Sequence, residues 1–188
     1  MPVRNSSLVN YVLYQAGWFA CVLGAAWHRP WAGFGVGLLL LVAHFVLSSR
    51  PGRDLKLVIV AVVAGLIVEL MLIATGTYRF TSGTAVASLP PPWLLLMWAQ
   101  FATTFPFSLK PIVMKPVAAA LFGAIGGPLA FVAGQGLGAV TLLPPVSLSL
   151  LRLAVGWGIA MTVLSAVARA EMRGEDSLPS PDIGMSRP

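Results

Sequence analysis

The sequence predicts an all-α polytopic transmembrane bundle of six helices, and three observations predict it. Six apolar stretches are each long enough to cross a hydrocarbon core, which takes about 20 helical residues. Only 10% of residues are charged against 57% hydrophobic, with a mean hydropathy of +0.86. A soluble domain carries about 25% charged residues, so this chain has too few to cover a water-facing surface. The Lys and Arg side chains also gather in alternate connections, as they do in cytoplasmic loops.

The expected spans are Leu8–Trp27, Trp31–Leu47, Leu57–Thr75, Trp93–Leu109, Val117–Val140 and Val146–Ala168. The first has only Arg4 before it and is interrupted by Gln15. It is longer than the apolar core of a signal peptide and is expected to be a retained helix. Arg50-Pro51-Gly52-Arg53-Asp54 marks the second connection, Pro90-Pro91-Pro92 the third and Pro144-Pro145 the fifth, since such clusters punctuate helices. Residues 1–170 are read as one transmembrane domain. Residues 171–188 turn polar and proline-rich and are read as a disordered cytoplasmic tail.

With the N-terminus inside, Arg4, Arg50, Arg53, Lys56, Lys110, Lys115, Arg169, Arg173 and Arg187 fall on the cytoplasmic side, and Arg29, Arg79 and Arg152 on the other. Both termini are therefore expected in the cytoplasm. Trp27, Trp31 and Trp93 fall at predicted outer ends, where amphipathic rings favour the interface; Trp18, Trp98 and Trp157 lie deeper and are read as packing residues.

Helices in lipid associate by close backbone approach, so small residues mark the expected seams. These are Ala16, Ala20 and Gly24 beside Gly17, Cys21 and Ala25; Gly33 with Gly37; Ala61, Gly65, Glu69 and Gly76; and Gly123, Gly127, Gly134 and Gly138. Pro128 follows Gly126 and Gly127 in the fifth span. A proline there removes a backbone hydrogen bond, which predicts a kink, either a packing bend or a broken backbone lining a cavity.

Ionisable groups inside a bilayer are costly, which makes them the first places to look for function. Glu69, Arg152 and Gln135 are expected at a common depth of roughly 8–10 Å below the outer boundary. The expectation is that Glu69 pairs with Arg152 and that Gln135 joins them; otherwise Arg152 reaches for the interface and Glu69 is a structural or protonated carboxyl. A second polar set lies nearer the cytoplasm. Gln100, Thr104 and Ser108 repeat every four residues with Thr103 alongside, and His44 and Ser48 lie at a similar depth. Gln15 and Gln100 fall at mid-depth. This set is either interhelical hydrogen bonding or a polar path between the two layers.

Several function classes are excluded. The net charge of +6 is spread between apolar runs with no basic stripe, which argues against nucleic acid. Cys21 is the single cysteine, so no intrachain disulfide forms, and no Cys/His spacing suits a metal. There is no phosphate-binding Gly-Lys-Ser loop, no zinc His-Glu-x-x-His and no nucleophile-elbow serine. Gly134-Gln135-Gly136-Leu137-Gly138 follows no strand and is no dinucleotide loop. No catalytic, cofactor or metal residue is assigned.

Several runs together resemble a known family. They are Tyr14-Gln15-Ala16-Gly17-Trp18-Phe19-Ala20-Cys21-Val22-Leu23-Gly24-Ala25, Gly65-Leu66-Ile67-Val68-Glu69, Pro92-Trp93, Trp98-Ala99-Gln100-Phe101-Ala102-Thr103-Thr104, Gly123-Ala124-Ile125-Gly126-Gly127-Pro128-Leu129-Ala130 and Gly134-Gln135-Gly136-Leu137-Gly138-Ala139-Val140. In this order they resemble the bacterial inner-membrane family called domain of unknown function 2878, over most of the chain up to about Val140. The resemblance implies an integral protein of the bacterial inner membrane with no assigned activity. Members are often encoded near lipid-modifying enzymes such as cyclopropane-fatty-acid synthase, which points toward envelope lipid. Glu69 stands where aspartate is usual in that family. Pro106-Phe107 replace a polar Asn-His pair common before Ser108, which weakens a catalytic reading there.

Three functions are consistent with the sequence. The first is a non-enzymatic membrane protein supporting envelope lipid homeostasis or a membrane complex, its partners being membrane lipids and a membrane protein or a second copy of itself. The second is a small transporter or channel using Glu69, Gln100, Gln135 and the Pro128 break, which requires a water-accessible cavity reaching Glu69. The third is a lipid-modifying enzyme with His44 or Glu69 as acid/base.

Overall fold

The computed structural model describes residues 7–176, with side chains to Gly174. Among the described residues there are seven helices: α1 (Ser7–Ala26), α2 (Pro30–Leu47), α3 (Pro51–Ala74), α4 (Pro92–Ala102), α5 (Lys110–Val113), α6 (Pro116–Gly136) and α7 (Val146–Asp176). Two short strands, β1 (Tyr78–Phe80) and β2 (Val140–Leu142), pair antiparallel, with Tyr78 opposite Leu142 and Phe80 opposite Val140. Among the described residues, five helices (α1, α2, α3, α6 and α7) are long and apolar enough to cross a membrane.

Proline sets most of the helix starts. Pro30, Pro51, Pro92 and Pro116 each open a helix, where the missing N–H costs nothing and the fixed φ suits the first turn. Outward faces are apolar at four-residue spacing, as in Leu55, Ile59, Val63, Ile67 and Met71 of α3 and Leu151, Val155, Ile159 and Val163 of α7, all exposed. Such stripes suit lipid rather than water.

The expected fourth span, Trp93–Leu109, is not one long helix. α4 is 11 residues, only about 16 Å at 1.5 Å per residue. The Thr103 and Thr104 hydroxyls donate to the carbonyls of Gln100 and Phe101, and Pro106 disfavours helical backbone just before it. The chain then turns through residues 103–109 into α5. It still runs from the hairpin end, where Trp93 donates to Ser82 O, to the opposite end, where Val113 O accepts from Arg169. The start of α1 lies at that opposite end, through Asn10 and Ser108, as does the end of α7, through Lys56 and Glu171. α4 packs against α1, α2 and α3, and Trp93, Trp98, Gln100 and Phe101 are buried.

Other boundaries shift too. The fifth predicted span ends at Gly136, because Gly138, at φ +89°, turns the chain into β2. Gly76 likewise lies beyond α3, at φ +65°, rather than on its packing stripe. α6 continues as one helix through Pro128. α7 runs to Asp176, so residues 171–176 are helical rather than part of a tail, and 177–188 lie outside the described residues. Trp27 and Trp31 are 68% and 67% exposed, but Trp93 is 3% exposed and sits under the hairpin instead of at an outer surface.

Close glycine seams form at several of the expected positions, Gly24, Gly33, Gly65 and Gly127 among them. A Cβ on Gly33 would lie 2.3 Å from Ala20 O, and one on Gly24 2.8 Å from Gly33 Cα, so α1 and α2 touch backbone to backbone. A Cβ on Gly127 would lie 2.3 Å from Trp157, and one on Gly65 2.4 Å from Trp98. Gly33→Ala is therefore expected to destabilise the protein by about 1–3 kcal/mol through overpacking. Gly35→Ala, where nothing lies within 4 Å, is expected to be neutral or mildly stabilising. Thermal unfolding of both variants in detergent checks this, and equal melting points would contradict the seam.

Candidate functional site

Two polar centres and one apolar cleft stand out. The first centre is Glu69, 0% exposed on the inner face of α3. A carboxyl placed there needs donors, and two meet it. Tyr78 of β1 donates its hydroxyl to Oε2, and Trp98 of α4 donates Nε1 to Oε1 at 3.1 Å. Burial, and then the adjacent Glu69 carboxyl, hold the Tyr78 phenol well above its ordinary value, so it keeps its proton and donates.

The expected Glu69–Arg152 pair does not form. Arg152 Nη1 donates to Thr75 O at 2.6 Å, at the C-terminal end of α3, where carbonyls lack helical partners and a cation is favoured. The carboxyl is taken instead by the hairpin tyrosine and by Trp98. Gln135 does not join them either: it is exposed, and its Oε1 accepts from Leu142 N at 2.7 Å, fastening β2 to α6.

The second centre lies at the opposite end, where α2 meets α3. Asp54, also 0% exposed, receives Ser48 Oγ at 2.6 Å and Arg53 Nε and Nη2 at 3.0 and 2.9 Å, and His44 Nε2 lies 3.1 Å away. The Arg53 guanidinium sits 5.7 Å from the Phe107 ring centre. Asp54 stands in the first turn of α3, where a negative charge suits the helix dipole. Ser48 gives its proton to the carboxylate and not to His44, so no nucleophile–base relay exists here.

The remaining polar residues bond apart from these two centres. Asn10 Nδ2 donates to Thr103 O at 3.0 Å and Asn10 Oδ1 accepts from Ser108 at 2.9 Å. Gln100 Nε2 donates to Gly37 O at 2.7 Å, while Gln100 Oε1 is buried without a partner among the described residues. Gln15 bonds Tyr11, and Thr104 bonds Phe101 O. The structure thus brings none of Gln15, His44, Gln100, Thr104, Gln135 or Arg152 into hydrogen-bonding contact with Glu69. No three His, Cys, Asp or Glu residues gather to hold a metal among the described residues.

The cleft is a recess of about 120 Å³. α1 presents Tyr14, Trp18 and Val22, four residues apart and so on one face. Across from them α6 presents Gly123, Gly126, Gly127 and Ala130, and the Cβ position of Gly126 is open. Trp98 of α4 and Trp157 of α7 line it deeper, stacked at 4.3 Å and 22°. Phe80 and Val140 of the hairpin close the end nearer the strands. Glu69 is not part of the lining: Trp98 separates its carboxyl from the cleft. The transporter reading required a cavity at Glu69, and this one stops at the indole.

Reading by residue type pointed to the polar atoms, and the recess is built from residues read as packing: Trp18, Trp98 and Trp157. One signal was available, the aromatic i, i+4 spacing of Tyr14 and Trp18 opposite a glycine-rich helix. Asp54 was legible only as part of a connection, and Tyr78 and Asn10 carried no local signal. Double-mutant cycles on unfolding in detergent test the Glu69 site. Tyr78→Phe is expected to cost about 1–3 kcal/mol and to be strongly non-additive with Glu69→Gln. Arg152→Gln and Glu69→Gln are expected to add within about 0.5 kcal/mol; coupling there would restore the ion pair.

A family model described as "Protein of unknown function (DUF2878)" matches residues 7–163. No curated protein and no solved structure matches the chain.

Proposed function

We propose a function from the geometry of this chain, which belongs to the family described as "Protein of unknown function (DUF2878)": it is a non-catalytic, multi-pass protein of the bacterial inner membrane that holds the hydrocarbon part of a lipid in the cleft between α1 and α6. The observation that carries this reading is the cleft itself, an apolar recess walled by membrane-crossing helices. α1 and α6 flank it without extended packing on each other. What surrounds such a recess is bilayer hydrocarbon, and burial of an apolar chain against aromatic walls needs no water path. Support for envelope lipid homeostasis follows as the role, with lipid as the partner.

The other readings have less behind them. A channel needs a wet route past an intramembrane charge, and Glu69 is enclosed by Tyr78 and Trp98. An enzyme using His44 needs a free acid/base, and that ring is tied to a carboxylate already held by Arg53 and Ser48.

A diazirine-bearing palmitic acid, photolysed with the full chain in nanodiscs, is expected to label α1 and α6 at the cleft. Gly126 lines the recess and has room for a side chain, the nearest atom to an added Cβ being 3.9 Å away. Gly126→Leu is therefore expected to abolish cleft labelling while leaving the melting temperature within a few degrees. Labelling spread evenly over the lipid-facing stripes would defeat the proposal. Reporter tags on the two ends are expected to read out in the cytoplasm; opposite compartments would overturn the orientation.

A further inference from the structure

The cleft occupies one half of the bundle, the half that ends at the hairpin. α1 begins at Ser7 and enters the lining only at Tyr14, about 10 Å further along the axis. α6 begins at Pro116, at the same end, and enters only at Phe122. α4 starts from the hairpin end and enters at once, with Trp93. An acyl chain held there therefore belongs to the hairpin-side leaflet, and its headgroup lies at that surface.

That surface is basic. Arg79 stands in β1 between Tyr78, which is buried, and Phe80, which lines the cleft. Alternate residues of a strand face opposite ways, so Arg79 points outward beside its cross-strand partner Thr141, and both are exposed. Arg29 lies at the same end. Its N–H donates to Gly24 O at 2.7 Å, and Ser82, two residues after β1, donates to the neighbouring Ala25 O at 2.7 Å. The Arg29 side chain is exposed too. Neither guanidinium has a hydrogen-bonding or acidic partner among the described residues. The carboxyls among those residues are Asp54 and Glu171 at the opposite end, and Glu69, which Tyr78 and Trp98 enclose. Two uncompensated guanidinium groups at a membrane surface suit phosphate, which arginine grips with paired N–H groups.

We infer that the lipid held in the cleft is an anionic phospholipid of the hairpin-side leaflet, its acyl chain between α1 and α6 and its phosphate drawn to the guanidinium groups of Arg79 and Arg29. The inference rests on the reading of the cleft as a hydrocarbon site and adds the headgroup and the leaflet to it. A zwitterionic headgroup brings its own cation toward the same two arginines, which offsets part of the attraction; a headgroup of net negative charge does not. Arg152, at the same end, already donates to Thr75 O and serves the end of α3.

The test uses the full chain in phosphatidylcholine nanodiscs carrying either a diazirine-acyl phosphatidylglycerol or a diazirine-acyl phosphatidylcholine at equal mole fraction. Labelling of the cleft residues of α1 and α6 is read against labelling of the exposed stripe of α3, which removes any general enrichment of one lipid. Phosphatidylglycerol is expected to be favoured at the cleft by about fivefold for each arginine that meets it. Arg29→Gln combined with Arg79→Gln is expected to remove the preference while phosphatidylcholine labelling persists. Both side chains are exposed and partnerless among the described residues, so the change leaves the fold intact. Lys115→Gln, before the start of α6 at the opposite end, is expected to leave the preference as it is. Equal labelling by the two lipids on the native chain, a preference that survives the double arginine change, or one that falls with Lys115→Gln would overturn the headgroup inference. Cleft labelling by the palmitate probe but by neither phospholipid would overturn it as well, and in each of these cases the hydrocarbon site stands. Absence of cleft labelling by palmitate and by both phospholipids would remove the underlying site itself.

Discussion

A carboxyl group enclosed by apolar helices has to be met by donors, and the donors have to be carried there by something. Glu69 accepts from Tyr78 and Trp98, so three elements converge on one side chain: α3, which bears it, the hairpin strand β1 and the buried helix α4. Trp98 then stacks on Trp157 of α7, and that pair is the deep wall of the cleft. Moving the carboxyl out of reach would release the hairpin and the indole together. In a medium with no water to substitute, the group acts as a fastener whose partners set the position of the recess beside it.

Close backbone approach does the same work elsewhere without charge. Gly24 and Gly33 bring α1 against α2, and Gly123 and Gly127 bring α6 against α7. Because lipid offers no hydrophobic force between helices, such contacts supply much of the packing energy. α6 uses its glycines in two ways: Gly123 and Gly127 let Trp157 and Met161 in from α7, while Gly126, which lines the cleft, has open space where a side chain would be. Seam and cleft are two sides of one small-residue helix.

The opposite end is organised around a second carboxylate. Asp54 gathers His44, Ser48 and Arg53 where α2 turns into α3, and Phe107 lies under Arg53. The residues after α4 return here, with Ser108 bonding Asn10 of α1. This end is polar and tightly bonded, while the cleft is lined by apolar and aromatic residues. The Asp54 corner ties α2 to α3.

The sequence by itself determined that the chain is an apolar helical membrane protein, where most helices begin, and which small residues would meet. These follow from composition, from proline at first-turn positions and from local spacing, all of which act within a few residues. Only the tertiary structure decided that α4 is short and buried, that Tyr78 rather than Arg152 answers Glu69, and that Trp18 and Trp157 face a recess. β1 and β2 lie some sixty residues apart, and nothing in Tyr78-Arg79-Phe80 or Val140-Thr141-Leu142 announces the pairing. Depth along a helix axis can be estimated from residue number, which is why Glu69 and Arg152 looked like partners. Direction around the axis and the identity of the neighbour depend on how every other helix packs, and those are collective properties that no single stretch encodes.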